Sequence, residues 1–359
     1  MSMLILTQIE VYLEEILESL DFSALNEFLH QHMRMKMSFG DLVSLISTEG
    51  LGAINRENVT MLIFDSLLYE LSIARPIFIK MLLFSLLFSV VHRLMASKNK
   101  YISDISFLMI YAVLMVLLMQ SFLLVREIAM DGVVSLLSFV NALIPTYAVT
   151  LAFLGSTFSG AMLYELAFIM VYLVELITKN LLGPLIQVFV LVLFLNYLFD
   201  EDKLSKLADF MERIVAVLLK GGFAMVIGLS VVQSMLTPVK DRLANNVVLS
   251  SMSAMPGIGN AIGSTGEIIL SCGMLVKNSV GVIGLIVLVM VAVIPVVKIA
   301  CFWCMYQLLG ILLQPVADKR ITECVSAVAR GCDLYLKIIM YSMLLFFVLI
   351  SMVSICWNF

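Results

Sequence analysis

The sequence has little charge. Asp, Glu, Lys and Arg make up 13% of the 359 residues, whereas apolar residues make up 62%. A soluble domain has about 25% charged and about 45–50% apolar residues, so this excess excludes a water-soluble protein. The formal net charge is -4 without any long basic stretch, which excludes a nucleic-acid partner. The lipid bilayer is therefore the expected environment.

The sequence also lacks the motifs of enzymes and metal sites. The glycine-rich "GIGNAIG" (257–263) does not have the spacing of a dinucleotide fingerprint, and "GSTGE" (263–267) lacks the lysine of a phosphate loop. Cys301 and Cys304 form a CxxC pair, but no second pair accompanies it and the three histidines are distant. The six cysteines are therefore interpreted as buried small hydrophobes. We expect no enzyme activity, catalytic residue, metal ligand or cofactor.

Residues 1–74 mix polar and apolar residues, and short amphipathic stretches occur near 3–20, 40–48 and 57–74. In the first stretch one face at helical spacing carries Ile5, Ile9, Tyr12, Leu13, Ile16 and Leu20. Acidic residues stand where a signal peptide would have its apolar core, so we expect a helix rather than a signal peptide. The segment 1–74 is therefore predicted to be helical and extramembrane or interfacial.

Residues 75–359 form the second predicted domain and contain a series of apolar runs. Each run is near the length of about 20 residues that one membrane crossing needs. The runs lie at 76–95, 104–125, 133–154, 161–178, 183–199, 221–238, 278–297, 299–316 and 335–357. The predicted fold is an all-α, polytopic integral membrane helical bundle with about seven to nine transmembrane helices.

The segment "DEDKLSKLADFMERIVAVLLK" (200–220) is charged yet amphipathic. One helical face carries Leu204, Leu207, Phe210, Met211, Ile214 and Leu218. This pattern predicts a helix in the membrane interface, with a soluble loop helix as the alternative. Basic residues here and in "HRLMASKNK" (92–100) indicate that both segments face the cytoplasm.

The stretch Met255–Gly284 is unusually rich in glycine for an apolar region. Its glycines are Gly257, Gly259, Gly263, Gly266, Gly273, Gly281 and Gly284. They permit non-helical backbone buried within a membrane protein, and they permit close helix packing. A flexible extramembrane loop is one interpretation. Because "IILSCGMLV" (268–276) is strongly apolar, a re-entrant or packed segment is favoured.

Ionisable residues within the apolar runs are candidate lining of a polar pathway. Glu165 and Glu175 lie in the fourth run, and Lys277 lies at the start of the seventh. Such groups are costly near hydrocarbon and tend to face a bundle interior or a wet cavity. Lys80 and Lys298 lie near run ends, where snorkelling to the interface explains them.

Several stretches resemble the stage III sporulation protein AE family of endospore-forming bacteria. They are "LSVVQSMLTPVKDRLA" (229–244), the glycine-rich segment 256–288, "PVVKIACFWCMYQLLGILLQPVADKRITEC" (295–324), "NALIPTYAVTLAFLGS" (141–156), and more loosely 67–87. The most specific parts are "LVKNSVG" (275–281) and "ILLQPVAD" (311–318). The resemblance runs from about residue 60 to the end of the chain.

The resemblance implies a membrane component of the mother-cell complex encoded by the third-stage sporulation operon. Its implied location is the mother-cell membrane around the forespore. The implied partners are the other subunits of the stage III sporulation A complex and, indirectly, stage II sporulation protein Q of the forespore membrane. The assembly would form a channel or feeding tube that sustains the forespore, and self-association of the chain is a further expectation. An independent secondary transporter and a membrane scaffold without a transport path remain alternatives.

Overall fold

The computed structural model describes residues 17, 19–33, 38–49, 75–87, 90–91, 100–153, 157–198, 203–253, 259–315 and 317–355. Its helices are α1 (Ser23–Met33), α2 (Phe39–Glu49), α3 (Lys100–Phe153), α4 (Thr157–Glu175), a π-helical segment (Leu176–Leu182), α5 (Gly183–Leu198), α6 (Ser205–Ser253), α7 (Gly259–Leu313) and α8 (Lys319–Ile355). Residues 75–87 are also helical. These ranges contain no strand, so the prediction of an all-α fold is confirmed.

Four helical stretches in the described chain are long and apolar enough to cross a membrane. They are Phe107–Leu151, Glu165–Leu198, Gly273–Leu313 and Lys319–Ser351. Lengths of 33 to 45 residues correspond to about 50–68 Å of helix, whereas the hydrocarbon core of a bilayer is about 30 Å thick. The helices are those of a membrane protein, but the predicted count of seven to nine crossings is not confirmed.

Neighbouring predicted runs are joined into single helices. The runs at 104–125 and 133–154 both belong to α3, because "REIAMDG" (126–132) between them is also helical. Most of its residues favour a helix, and a single glycine costs only about 1 kcal/mol. The runs at 278–297 and 299–316 are joined in the same way within α7. A charged interruption therefore marks a polar level along a helix rather than a loop.

Helices α3, α7 and α8 pack together as the centre of the bundle. Glycines allow the close approaches: a Cβ added to Gly132 would lie 2.7 Å from the Cβ of Pro295, and one added to Gly284 would lie 2.8 Å from Cδ2 of Leu143. Gly331 of α8 is equally enclosed. Small residues at helix contacts are typical of membrane bundles, where tight packing takes the place of the hydrophobic effect.

The described part of the N-terminal segment packs against this bundle. Helix α1 contacts α3, where the rings of Phe28 and Phe139 lie 5.4 Å apart. Helix α2 contacts α7, where the Ser47 hydroxyl donates a hydrogen bond to the Ser279 hydroxyl at 2.8 Å. Fully buried apolar side chains on the two helices are Leu25, Leu29, Phe39 and Val43.

Helix α2 confirms the predicted helix near 40–48, whereas α1 was not predicted. Local capping explains why α1 begins at Ser23, because the Asp21 carboxylate accepts a hydrogen bond from the Ser23 backbone N–H at 2.9 Å. Hydrogen bonds from the Ser23 side chain and backbone lower the pKa of the Asp21 carboxyl. The predicted helices near 3–20 and 57–74 lie outside the described residues, apart from residues 17, 19 and 20.

The glycine-rich stretch is helical where the structure describes it. Helix α7 begins at Gly259, so Gly263 and Gly266 lie in its first turns, while Gly257 is outside the described residues. The expectation of an irregular, re-entrant segment is not confirmed. In apolar surroundings a helix satisfies every backbone group internally, and this outweighs the cost of about 1 kcal/mol for each glycine.

Residues 205–220 of the segment 200–220 form the start of α6, as the amphipathic pattern predicts. The face that this helix buries in the bundle carries Ala208, Met211, Val215 and Leu219, of which Met211 belongs to the predicted apolar face. Leu207 and Phe210, two other residues of the predicted apolar face, are 46% and 60% exposed. The helix continues without a break through the run predicted at 221–238.

Candidate functional site: a charged cavity at mid-height of the bundle

A cavity of about 540 Å³ lies between the middle of α3 and the π-helical segment. We call it the charged cavity. Its lining residues are Leu123, Arg126, Glu127, Met130, Asp131, Val133, Val134, Leu137, Glu175, Thr178 and Lys179. The lining thus includes two cations and three carboxylates. They belong to helical stretches that are otherwise strongly apolar. An ionisable group at membrane depth is costly unless it faces water or another polar group.

The π-helical segment places two of these charges. Its geometry follows from "GP" at 183–184, because Pro184 has no backbone N–H to continue the helical ladder and its ring crowds the preceding turn. The Gly183 N–H instead reaches back five residues to the carbonyl oxygen of Thr178. This wider turn carries Lys179, and Glu175 precedes it directly. Such π-turns interrupt α-helices mostly as single turns, frequently at functional sites.

The charges in the cavity are only partly neutralised by one another. Lys179 Nζ and the Glu175 Oε1 atom lie 4.0 Å apart on side chains that are 67% and 52% exposed, so this ion pair is weak. Nε of Arg126 is buried and has no hydrogen-bond partner within the described part of the chain. The cavity therefore retains capacity to bind water or a polar solute.

The polar level continues across the bundle through Asp131. A second cavity, of about 200 Å³, borders the opposite side of this residue. It is lined by His32, Ile128, Asp131, Gly132, Ser135, Val291, Ile294, Pro295 and Lys298. Helices α1, α3 and α7 thus contribute polar groups at one height. Lys298, interpreted from the sequence as snorkelling from a run end, lies within α7 beside this second cavity.

The structure does not bring the three predicted lining residues together. Glu175 borders the charged cavity. Glu165 is exposed and lies ten residues earlier, about 15 Å along the helix. Lys277 is fully buried at the other end of α7, about 27 Å along the helix from Pro295. Sequence reasoning missed Arg126 and Asp131, although a cluster of charges between two apolar runs was the signal.

The predicted packing glycines have different surroundings. Gly273, Gly281 and Gly284 are buried in α7. Among these glycines, Gly284 packs tightly against α3, because a Cβ added there would lie 2.8 Å from Cδ2 of Leu143. Gly259, Gly263 and Gly266 are described by their helical backbone alone, in the first turns of the same helix.

The cysteine pair of α7 is split between two faces. Cys301 is 7% exposed, whereas Cys304 is exposed, which corrects the expectation that both are buried. Three positions along a helix correspond to a rotation of about 300°, so one residue can face the bundle while the other faces outward. No group of three or more His, Cys, Asp or Glu residues in the described ranges is arranged to hold a metal ion.

A second charged contact joins α8 to α6. Nη2 of Arg330 lies 2.5 Å from Oε2 of Glu212 and 3.7 Å from Oδ1 of Asp209. The guanidinium also lies 5.3 Å from the centre of the Phe189 ring of α5. One arginine therefore connects three helices through ion pairing and a cation–π contact.

Sequence comparison places this chain among sporulation proteins. The sequence model of the family described as stage III sporulation protein AE matches residues 37–356. A relative described as stage III sporulation protein AE, from Bacillus subtilis (strain 168), is 22% identical over 264 residues, which cover 73% of this chain. The chain spans slightly less than two thirds of that relative's length, 66%. No solved structure matches the chain.

Proposed function

Because the chain belongs to the stage III sporulation protein AE family, we propose that it is a membrane component of a channel or secretion-like complex required for endospore development. Its proposed location is the mother-cell membrane around the forespore, which it would cross several times. Family membership and the four long apolar helices support this proposal. The role is structural or conducting rather than enzymatic.

The observation that carries a conducting role is the charged cavity. Arg126, Glu127 and Asp131 stand in the middle of an apolar stretch 45 residues long. Charges at this depth require water or polar partners, and a cavity of about 540 Å³ provides room for both. We therefore assign the wet part of the proposed path to this cavity, with Glu175 on its wall.

The proposed partners are the other subunits of the stage III sporulation A complex and, indirectly, stage II sporulation protein Q. Self-association is part of the same proposal. The exposed carboxylates of Glu127 and Asp131, midway along α3, support self-association, because contact with lipid acyl chains would be energetically costly for them. Another protein chain or a water-filled path would shield them.

A secondary transporter that acts alone is the second candidate. The π-helical segment beside the charged cavity favours it, since interrupted helices line the substrate sites of many transporters. Purified chain in liposomes distinguishes the two functions: a transporter moves its solute without other subunits, whereas a complex component requires them.

The proposal is tested in a spore-forming strain in which this chain replaces the strain's own family member. Asp131→Asn and Glu175→Gln remove one cavity charge each while preserving side-chain shape. We expect fewer heat-resistant spores, with unchanged protein level and unchanged co-purification of the other complex subunits. Glu323→Gln is the matched control, because Glu323 pairs with Lys319 at 3.6 Å and does not line the cavity. Normal sporulation of both cavity variants would favour a scaffold without a path.

A further inference from the structure

A third cavity in the described structure is almost entirely apolar, and the function proposed above does not use it. It has a volume of about 330 Å³ and lies between α4 with its π-helical segment, α6 and α8. Its wall includes Ile177, Gly221, Gly222 and Phe223. Two of its walls belong to the apolar stretches Glu165–Leu198 and Lys319–Ser351, so it lies at membrane depth.

Two consecutive glycines of α6 leave this space open. A Cβ added to Gly221 would have no atom within 4 Å, and one added to Gly222 would meet Cδ1 of Ile177 at 3.9 Å. The same helix is well packed on either side, where Leu219 and Val226 are 9% and 2% exposed. Along α6 the space beside the glycine pair is thus bounded by two buried side chains, Leu219 and Val226, which also line the cavity.

The mouth of the cavity faces away from the bundle. Val217 and Met225, which both line it, are 68% and 59% exposed. At membrane depth their neighbours outside the protein are the acyl chains of phospholipids. Of the hydroxyl-bearing lining residues, Thr178 and Ser342 are 3% and 5% exposed and Tyr341 is half-buried, whereas the exposed lining side chains Val217 and Met225 are apolar.

We propose that this cavity holds one acyl chain of a membrane phospholipid. An apolar cavity of this size gives water too few hydrogen-bond partners, and such cavities take up apolar molecules instead. An empty cavity would leave the lining atoms without dispersion contacts. An acyl chain restores those contacts and can enter from the bilayer between Val217 and Met225.

The bound chain would rest against the π-helical segment. Thr178 borders both this apolar cavity and the charged cavity. A lipid in this apolar cavity would therefore contact Thr178, which belongs to the same turn as Lys179 of the charged cavity. The apolar cavity would thus bind a bilayer lipid, whatever solute the proposed channel conducts.

The test uses the full chain in liposomes with phosphatidylglycerol that carries a photoactivatable diazirine at the end of an acyl chain. After illumination, digestion and mass spectrometry, we expect crosslinks within 217–226 and 341–345. Gly222→Leu fills the cavity and should reduce these crosslinks to the level of other lipid-facing sites. Gly228→Leu is the matched control, since a Cβ at Gly228 also meets nothing within 4 Å but Gly228 does not line the cavity.

A second pair of variants guards against a folding defect in Gly222→Leu. Val217→Trp narrows the mouth from the exposed side, and Leu207→Trp places the same ring on an exposed position of α6 away from the cavity. We expect crosslinking to fall in the former and to persist in the latter. Equal crosslinking in the members of either pair, or no crosslink at the lining residues of the unmodified chain, would overturn the proposal.

Discussion

The Tyr335 hydroxyl donates a hydrogen bond to the carbonyl oxygen of Gly183 at 3.2 Å, although the two residues are 152 positions apart. Both are buried, and the Tyr335 ring lies 5.5 Å from that of Phe122. The bond joins α8 to the first residue after the π-helical segment. It therefore holds in place the turn that carries Lys179 into the charged cavity.

Tyr335→Phe removes this hydrogen bond while preserving the ring. We expect the free energy of unfolding to fall by about 0.5–1.5 kcal/mol, the usual net value of one hydrogen bond. Thermal denaturation of the detergent-purified chain measures the change as a lower Tm. Tyr172→Phe is the control, because Tyr172 is 59% exposed. An equal Tm for both variants would show that the Tyr335 bond contributes no stability.

Gly132→Ala and Gly228→Ala should have opposite effects on stability. A Cβ at Gly132 would lie 2.7 Å from the rigid ring of Pro295, so α3 and α7 must separate. A Cβ at Gly228 meets nothing, and Ala favours a helix over Gly by about 1 kcal/mol. We expect a lower Tm for the first variant and an unchanged or higher Tm for the second. A higher Tm for Gly132→Ala would contradict the described contact.

The ion pair between Arg330 and Glu212 is tested by a double-mutant cycle. Arg330→Gln, Glu212→Gln and the double variant should show a coupling energy of about 1 kcal/mol, since the side chains are 39% and 37% exposed and partly screened. Arg330→Lys should not restore full stability, because lysine lacks the planar group that lies over Phe189. Additive losses in the cycle would exclude a stabilising pair.

The orientation predicted from basic residues is tested with single cysteines. Ser97→Cys and Ser205→Cys, on a background without native cysteines, should resist a membrane-impermeant thiol reagent in intact cells. Both should react once the membrane is permeabilised. The background matters because Cys304 is exposed in the native chain. Strong labelling of both positions in intact cells would invert the predicted topology.

The class of fold could be predicted from the sequence because it depends on composition. An excess of apolar residues without alternation leaves helices as the regular structure. The lengths of the helices could not be predicted, because "REIAMDG" (126–132) is compatible with a loop or with helix. The packing of Gly132 against Pro295 joins residues far apart in the chain, and such a contact cannot be read from the local pattern.

The candidate site was predicted in part. Glu175 was identified from its charge within an apolar run, and it does line the charged cavity. Glu165 and Lys277 are also ionisable residues within or beside apolar runs, but they lie elsewhere. The presence of a charge does not indicate which helices pack against each other. The wider turn of the π-helical segment sets the direction of Lys179. This geometry arises from Pro184 rather than from the charged residues themselves.

The hydrogen bond between Ser47 and Ser279 joins residues that are 232 positions apart. During synthesis at about 5–20 residues per second, the ribosome needs roughly 12–46 s to proceed from one to the other. Throughout that interval α2, whose Phe39 and Val43 are fully buried in the finished protein, has no α7 to pack against. The burial of α2 against α7 is therefore a late event relative to the synthesis of α2, since it can follow only after Ser279, 232 positions beyond Ser47, has been made.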